Sequence, residues 1–236
     1  MIRVSLGIRG GGVKSAASIG VLSALEEKGI KISEITGDSM GAVIAALYAT
    51  GNNVERIMEL FMEYSTIFSN ATRLREGTGS EIIEKRINLD CKNKKMGDTD
   101  IPLTISANVG GILCPKPYYF TSETTPCVPI GVACRASSSF PFLYEHYKYG
   151  KQKFWDGGMV ANPPIPQKSE DTIFILSSFA IKKKRKLYRK GMKEAEREAD
   201  IILRPNLLEM KTLGNPEDVK LAAKLGYEAM SKVDFK

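Results

Sequence analysis

The sequence predicts an α/β fold, with a mainly parallel central sheet covered on both faces by helices. Strand-like and helix-like segments alternate for most of the chain, the pattern of strands joined by helical crossovers. Glycines cluster where the first two strands would pass into helices, at Gly10 to Gly12 and at Gly37 and Gly41. A chain of 236 residues can bury a full core, and no internal repeat, low-complexity segment or linker divides it, so residues 1–236 read as one domain.

Residues 2–8 are the first expected strand, followed by the turn Arg9-Gly10-Gly11-Gly12. A helix over about 13–28 comes next, with Ala17, Val21, Ala24 and Leu25 as its inward stripe and Gly29 as its stop. Ile32-Ser33-Glu34-Ile35-Thr36 reads as a short strand, and the apolar run from Ala42 to Thr50 as a helix closed by Gly51. Helical patterns recur at about 54–64 and 79–88. Ile101 to Ala107 and Pro117 to Thr121 read as strands turned by Gly110-Gly111, and a small-residue helix spans Pro129 to Ser138. Lys153-Phe154-Trp155 is a short strand leading into Asp156-Gly157-Gly158, and 172–176 is a buried strand. Two helices, about 183–199 and 216–233, end the pattern, separated by Ile201 to Pro205.

Hydrophobic residues at 43% and charged residues at 26% place the chain among ordinary globular proteins. The first residues are too short and too interrupted for a secretory core, and no apolar run reaches membrane-spanning length, so a cytoplasmic location is expected. Cys91, Cys114, Cys127 and Cys134 match no zinc or redox spacing and read as reduced thiols, with no metal site and no cofactor expected. Net charge is +7, and seven of the nine residues Lys182 to Lys190 are basic. Glu194, Glu196, Glu198 and Asp200 follow, so a helix here runs its charges against the macrodipole. Two readings stand: peripheral contact with an anionic membrane, or a solvated face paired internally, as Lys190 with Glu194. No nucleic-acid recognition motif is present, so nucleic acid is not an expected partner.

The most informative string is Gly37-Asp38-Ser39-Met40-Gly41, which fits G-x-S-x-G, the turn that lifts a nucleophilic serine from a strand onto a helix N-terminus. A serine hydroxyl needs a base. The chain has one histidine, His146, in a polar-aromatic stretch with no turn motif, and Asp98 or Asp100 would complete the order serine, acid, histidine. The other candidate is Asp156, whose two following glycines leave room for a carboxylate to reach a cleft; the same residues also fit a plain Asp-Gly turn. Gly10-Gly11-Gly12, between a strand and a helix, offers backbone N–H groups to an oxyanion. A dinucleotide loop is the rival there, since Gly10-x-Gly12-x-x-Ser15 lacks only the third glycine and Glu34 follows about twenty residues on.

Taken together and in order, Gly10-Gly11-Gly12-Val13-Lys14, Gly37-Asp38-Ser39-Met40-Gly41 and Asp156-Gly157-Gly158 resemble the three signatures of the patatin-like phospholipases. Ile19-Gly20-Val21-Leu22, Ala136-Ser137 before Phe140-Pro141, Asp200 to Pro205 and Leu225-Gly226-Tyr227 are similar to further family segments, so the likeness runs along nearly the whole chain. The resemblance implies a three-layer α/β/α sandwich and a lipid acyl hydrolase acting through a Ser-Asp dyad without histidine or metal. Ser39 would be the nucleophile, Asp156 the base, Gly10, Gly11 and Gly12 the oxyanion hole, and Lys14 a substrate-binding residue. The substrate would be a lipid or other acyl ester, with a soluble carboxylesterase or thioesterase on the same dyad as the alternative. This sequence departs from the family in having Ser15 where glycine is usual and Lys14 where arginine is commoner, which keeps the charge but not the guanidinium fork.

Overall fold

A computed structural model describes residues 2–71, 78–111, 113–141, 144, 146–160, 163–166, 171–180 and 189–235. Strand β1 (Arg3–Ile8) is central, pairing in parallel with β2 (Lys31–Asp38) on one side and β7 (Thr172–Ser177) on the other. β2 pairs in parallel with β3 (Leu103–Val109), and β7 with β8 (Ile201–Leu203). Three further strands are antiparallel: β4 (Lys116–Thr121) and β6 (Gln152–Asp156) both pair with β3, and β5 (Tyr147–Tyr149) pairs with β6. β1 is buried from Val4 to Ile8, as a strand covered on both faces must be.

The three layers are legible in β7. Its Ile175 joins the main core, while Phe174 and Leu176, pointing the other way, pack with Met192 and Ala195 of α6 (Arg189–Glu198). The main core is built on α1 (Ala17–Glu27), α2 (Met40–Ala49), α3 (Val54–Ala71), α5 (Ile130–Ser137) and α7 (Pro216–Ser231), with Ile83 and Ile87 of α4 (Thr78–Asp90). The result is the expected α/β/α sandwich on a mainly parallel sheet. In α2 every residue except Tyr48 is buried, which accounts for its apolar character all round. α7 is capped by Asn215, whose side chain accepts from the Glu217 and Asp218 amides, and begins at Pro216.

The structure corrects several boundaries. The helix expected from Val13 is first a 3₁₀ turn (Gly12–Ala16), held by the Ser15 hydroxyl on the Arg9 carbonyl and by the Val13 amide on the Thr212 carbonyl. α3 runs on to Ala71, beyond 64. β5 and β8 were not expected as strands, because three residues carry too short a pattern for alternation to register. The basic run from Lys182 to Tyr188 lies outside the described residues, and only Arg189 and Lys190 enter α6.

One feature of the sheet positions everything that follows. β4 occupies one edge of β3 along Thr104–Val109, leaving β2 and β6 to share the other edge end to end. β2 leaves at Asp38 opposite Ser106, and β6 arrives from the opposite direction with Asp156 opposite Ala107. Consecutive residues of β3 therefore bring the C-terminal ends of two strands tip to tip, so that Ser39 and Asp156, 117 residues apart in sequence, meet.

Candidate active site

Ser39 sits between the last residue of β2 and the first of α2, with φ 50° and ψ −128°. A non-glycine residue in that region stores roughly 1–3 kcal/mol of strain, and it persists because the surroundings hold it. The Ser39 amide donates to the Ser137 hydroxyl at 2.7 Å, and that hydroxyl donates to the Ser106 carbonyl at 2.6 Å. α5 and β3 thus brace the elbow from behind, while the Ser39 side chain stays half-exposed.

The Ser39 Oγ donates to Asp156 Oδ2 at 2.7 Å, and the other carboxylate oxygen accepts the Gly158 amide at 2.9 Å. The Asp156 backbone is fixed in turn, its amide donating to Ser139 O and its carbonyl accepting from Asn108 Nδ2 at 2.6 Å. A second carboxylate lies just behind. Asp38 accepts the Gly10 amide on Oδ1 at 3.0 Å. A Cβ on Gly10 would stand 2.6 Å from both Asp38 Oδ2 and Ser39 Cβ, so only glycine lets the loop pass this close to the serine.

Both carboxylates are buried. Burial pushes Asp156 up to about 7; the Ser39 hydroxyl pulls it down, the neighbouring charge of Asp38 adds to the rise, and the Gly158 amide opposes it. Burial likewise pushes Asp38 up to about 6, against the Gly10 amide and the Arg9 guanidinium.

The glycine loop divides its donors. The Gly10 amide is taken by Asp38, whereas those of Gly11 and Gly12 have no acceptor among the described residues and are half-exposed. The N-terminus of α2 at Met40 supplies a further amide beside Ser39 with no acceptor among the described residues. Phe179 packs under the loop: its ring leaves no room for a Cβ on Gly11, and it carries the Arg9 guanidinium at 4.6 Å and Lys14 Nζ at 5.8 Å from its centroid. Lys14 Nζ thus lies beside the loop, over the same ring as Arg9.

His146 is elsewhere. Its ring packs on Trp155 at 5.5 Å, and Trp155 and Asp156 point to opposite faces of β6. Asp98 caps a short turn through the Lys95 amide, and Asp100 pairs with Lys94. Neither acid meets the histidine in a triad.

Against known proteins, the model of the patatin-like phospholipases matches residues 6–167, more than half of the chain. The chain belongs to the patatin-like phospholipase family. The match covers the glycine loop, the serine elbow and Asp156 of this patatin-like chain. It is 28% identical over 171 residues to an uncharacterized NTE family protein of Mycobacterium tuberculosis, covering 70% of this chain and 44% of the relative. It is 26% identical over 178 residues to the probable lipid hydrolase 463L of Invertebrate iridescent virus 6, covering 68% and 61%. The chain thus spans less than two thirds of the length of these relatives. The fold is similar to VipD of Legionella pneumophila, with TM-score 0.63, 16% identity and coverage of 97% of this chain and 66% of that one. It is also similar to ExoU of the Pseudomonas aeruginosa type III secretion system, with TM-score 0.60, 18% identity and coverage of 98% and 51%.

Four groups at this patatin-like site escape a reading of the sequence: the Asp38 carboxylate, the Ser137 hydroxyl, Asn108 and the Met40 amide. Asp38 stands in the serine motif itself, at a position the motif leaves open. Ser137 lies in one of the segments similar to the family. Asn108 gave no signal.

Proposed function

We propose that this chain is a serine lipid acyl hydrolase, cleaving acyl esters of glycerophospholipids or related lipids through Ser39 and Asp156. The hydrogen bond from the Ser39 hydroxyl to the buried Asp156 carboxylate is the observation that carries the reading. Asp156 takes the proton as Ser39 Oγ attacks the ester carbonyl, forming the new C–O bond and an oxyanion. The Gly11 and Gly12 amides, with the Met40 amide at the α2 N-terminus, donate to that oxyanion; Gly10 acts indirectly, by tying the loop to Asp38. The protonated Asp156 gives its proton to the departing alcohol. It then draws one from the water that attacks the acyl-serine, and returns it to Ser39 Oγ as the bond to the serine breaks and the fatty acid leaves. Lys14 offers its charge to an anionic part of the substrate near the loop. The family membership and the name of the viral relative support a lipid substrate.

The deciding experiment is hydrolysis of phospholipid vesicles read by mass spectrometry, with Ser39→Ala as control. Free fatty acid from wild type alone supports the lipid hydrolase. Turnover of a short soluble ester without lipid release moves the chain to the esterase alternative.

Since Asp156 must be ionised to act as base, kcat/KM should rise tenfold per pH unit below about 7 and level off above it. Asp38→Asn keeps an acceptor for the Gly10 amide but removes the like charge, so the midpoint should move to lower pH. An unchanged midpoint would mean the two carboxyls are not coupled. His146→Ala should keep most of the wild-type rate, because the histidine packs on the far face of β6; a large loss would favour a triad.

A further inference from the structure

Two β-hairpins project past the serine on the same side of the sheet. The strand β3 passes the serine level at Ser106 and the chain continues the same way to Gly110, about 13 Å further on at ~3.3 Å per residue. β6 runs antiparallel beside it, so the β5–β6 turn around Gly150 points the same way. The two are tied together: Trp155 Nε1 donates to Gly110 O at 2.9 Å, and the Gly110 amide donates to Lys153 O. At the base, the rings of Tyr118, Phe120 and Phe154 meet with centroids 4.9–5.3 Å apart and make the pair of hairpins one stiff unit.

Leu113 at the β3–β4 turn is 93% exposed, the most exposed large apolar side chain among the described residues, and Tyr149 at the other turn is also exposed. The same two hairpins carry Lys116, Lys148, Lys151 and Lys153, all exposed and without an ion pair among the described residues. The only carboxylate on the described residues of either hairpin is the buried Asp156. An exposed apolar turn on hairpins that carry exposed lysines is complementary to a lipid surface with anionic headgroups, with the leucine in the acyl region and the lysines at headgroup depth.

We propose that the β3–β4 and β5–β6 hairpins form the docking surface of this protein for an anionic lipid layer, holding the Ser39 edge of the sheet toward it. The proposal rests on the lipid reading of the site, but its test does not depend on catalysis. Leu113→Asp and the double change Lys151→Glu with Lys153→Glu alter only exposed side chains. Each variant is sedimented with vesicles of phosphatidylcholine alone and of phosphatidylcholine with phosphatidylserine, and assayed on a short soluble ester. Wild type is expected to bind the anionic vesicles more tightly than the neutral ones. Leu113→Asp should weaken binding to both by about tenfold or more, and the lysine double change should remove the preference for anionic vesicles. Soluble-ester turnover should stay at the wild-type level in both. Variants that sediment as wild type does would overturn the proposal and move docking elsewhere. So would wild type that stays in solution with either vesicle, which would leave the tip as a protein-contact surface. If no ester is hydrolysed at all yet binding falls as described, the docking surface stands and the proposed function fails.

Discussion

Ser39→Ala should lower kcat for ester hydrolysis by about ten-thousandfold or more while leaving the fold intact. Alanine keeps the Cβ and asks no more of the backbone at φ 50° than serine does, so the elbow, its amide on Ser137 and the loop over it are retained. Only the Oγ is lost, and with it the attacking atom. Asp156 also loses the hydroxyl that favoured its charged form, so its carboxyl moves further up. Covalent labelling reads the same point without turnover. A fluorophosphonate should modify Ser39 in wild type, found as a single adduct on its peptide, and should leave Ser39→Ala unmodified. Labelling that persists on the variant would place the nucleophile elsewhere, with the adjacent Ser137 the first residue to inspect.

The contrast between Ser39 and its surroundings shows how far the sequence speaks. Alternating patterns and two glycine clusters were enough for an α/β fold, because burial of β1 on both faces and of α2 all round leaves a direct mark on composition. Ser39 was legible because a strained turn restricts which residues stand beside it. Asp156 was legible as a candidate only, since an aspartate before two glycines also describes an ordinary turn. What joins the two is pairing: β2 and β6 meet on one edge of β3, at Ser106 and Ala107, and no local pattern encodes that meeting. Asp38 stayed hidden for the same reason. Its place in the site comes from accepting the Gly10 amide, 28 residues earlier in the chain. The docking hairpins were half visible, as two strands and a Gly-Gly turn, but the three residues of β5 were too few to show the second.

Asp156→Asn should separate activity from stability. Asparagine is nearly the same size and keeps an oxygen for the Gly158 amide, but it presents an NH₂ to Ser39 and accepts no proton. General-base assistance of this kind contributes about a hundredfold to ten-thousandfold, and the rate should fall by that factor. Stability should move the other way. The folded carboxyl lies at about 7 against an ordinary 3.8, so the folded state favours the protonated form. The stability this gives is fully present below about pH 4 and is lost as pH rises through about 7. At pH 8 the wild type therefore holds a buried charge beside Asp38, and asparagine does not. The variant should melt higher at pH 8, by roughly 3–6 °C for a gain of about 1–2 kcal/mol, and should melt level with wild type near pH 4. Thermal melts across that range check it. A merely structural Asp156 would lower the rate and the melting temperature together at every pH. A gain that grows with pH, alongside a lost rate, is expected only of a carboxylate held ionised in a place that resists ionisation, as a base beside the serine must be.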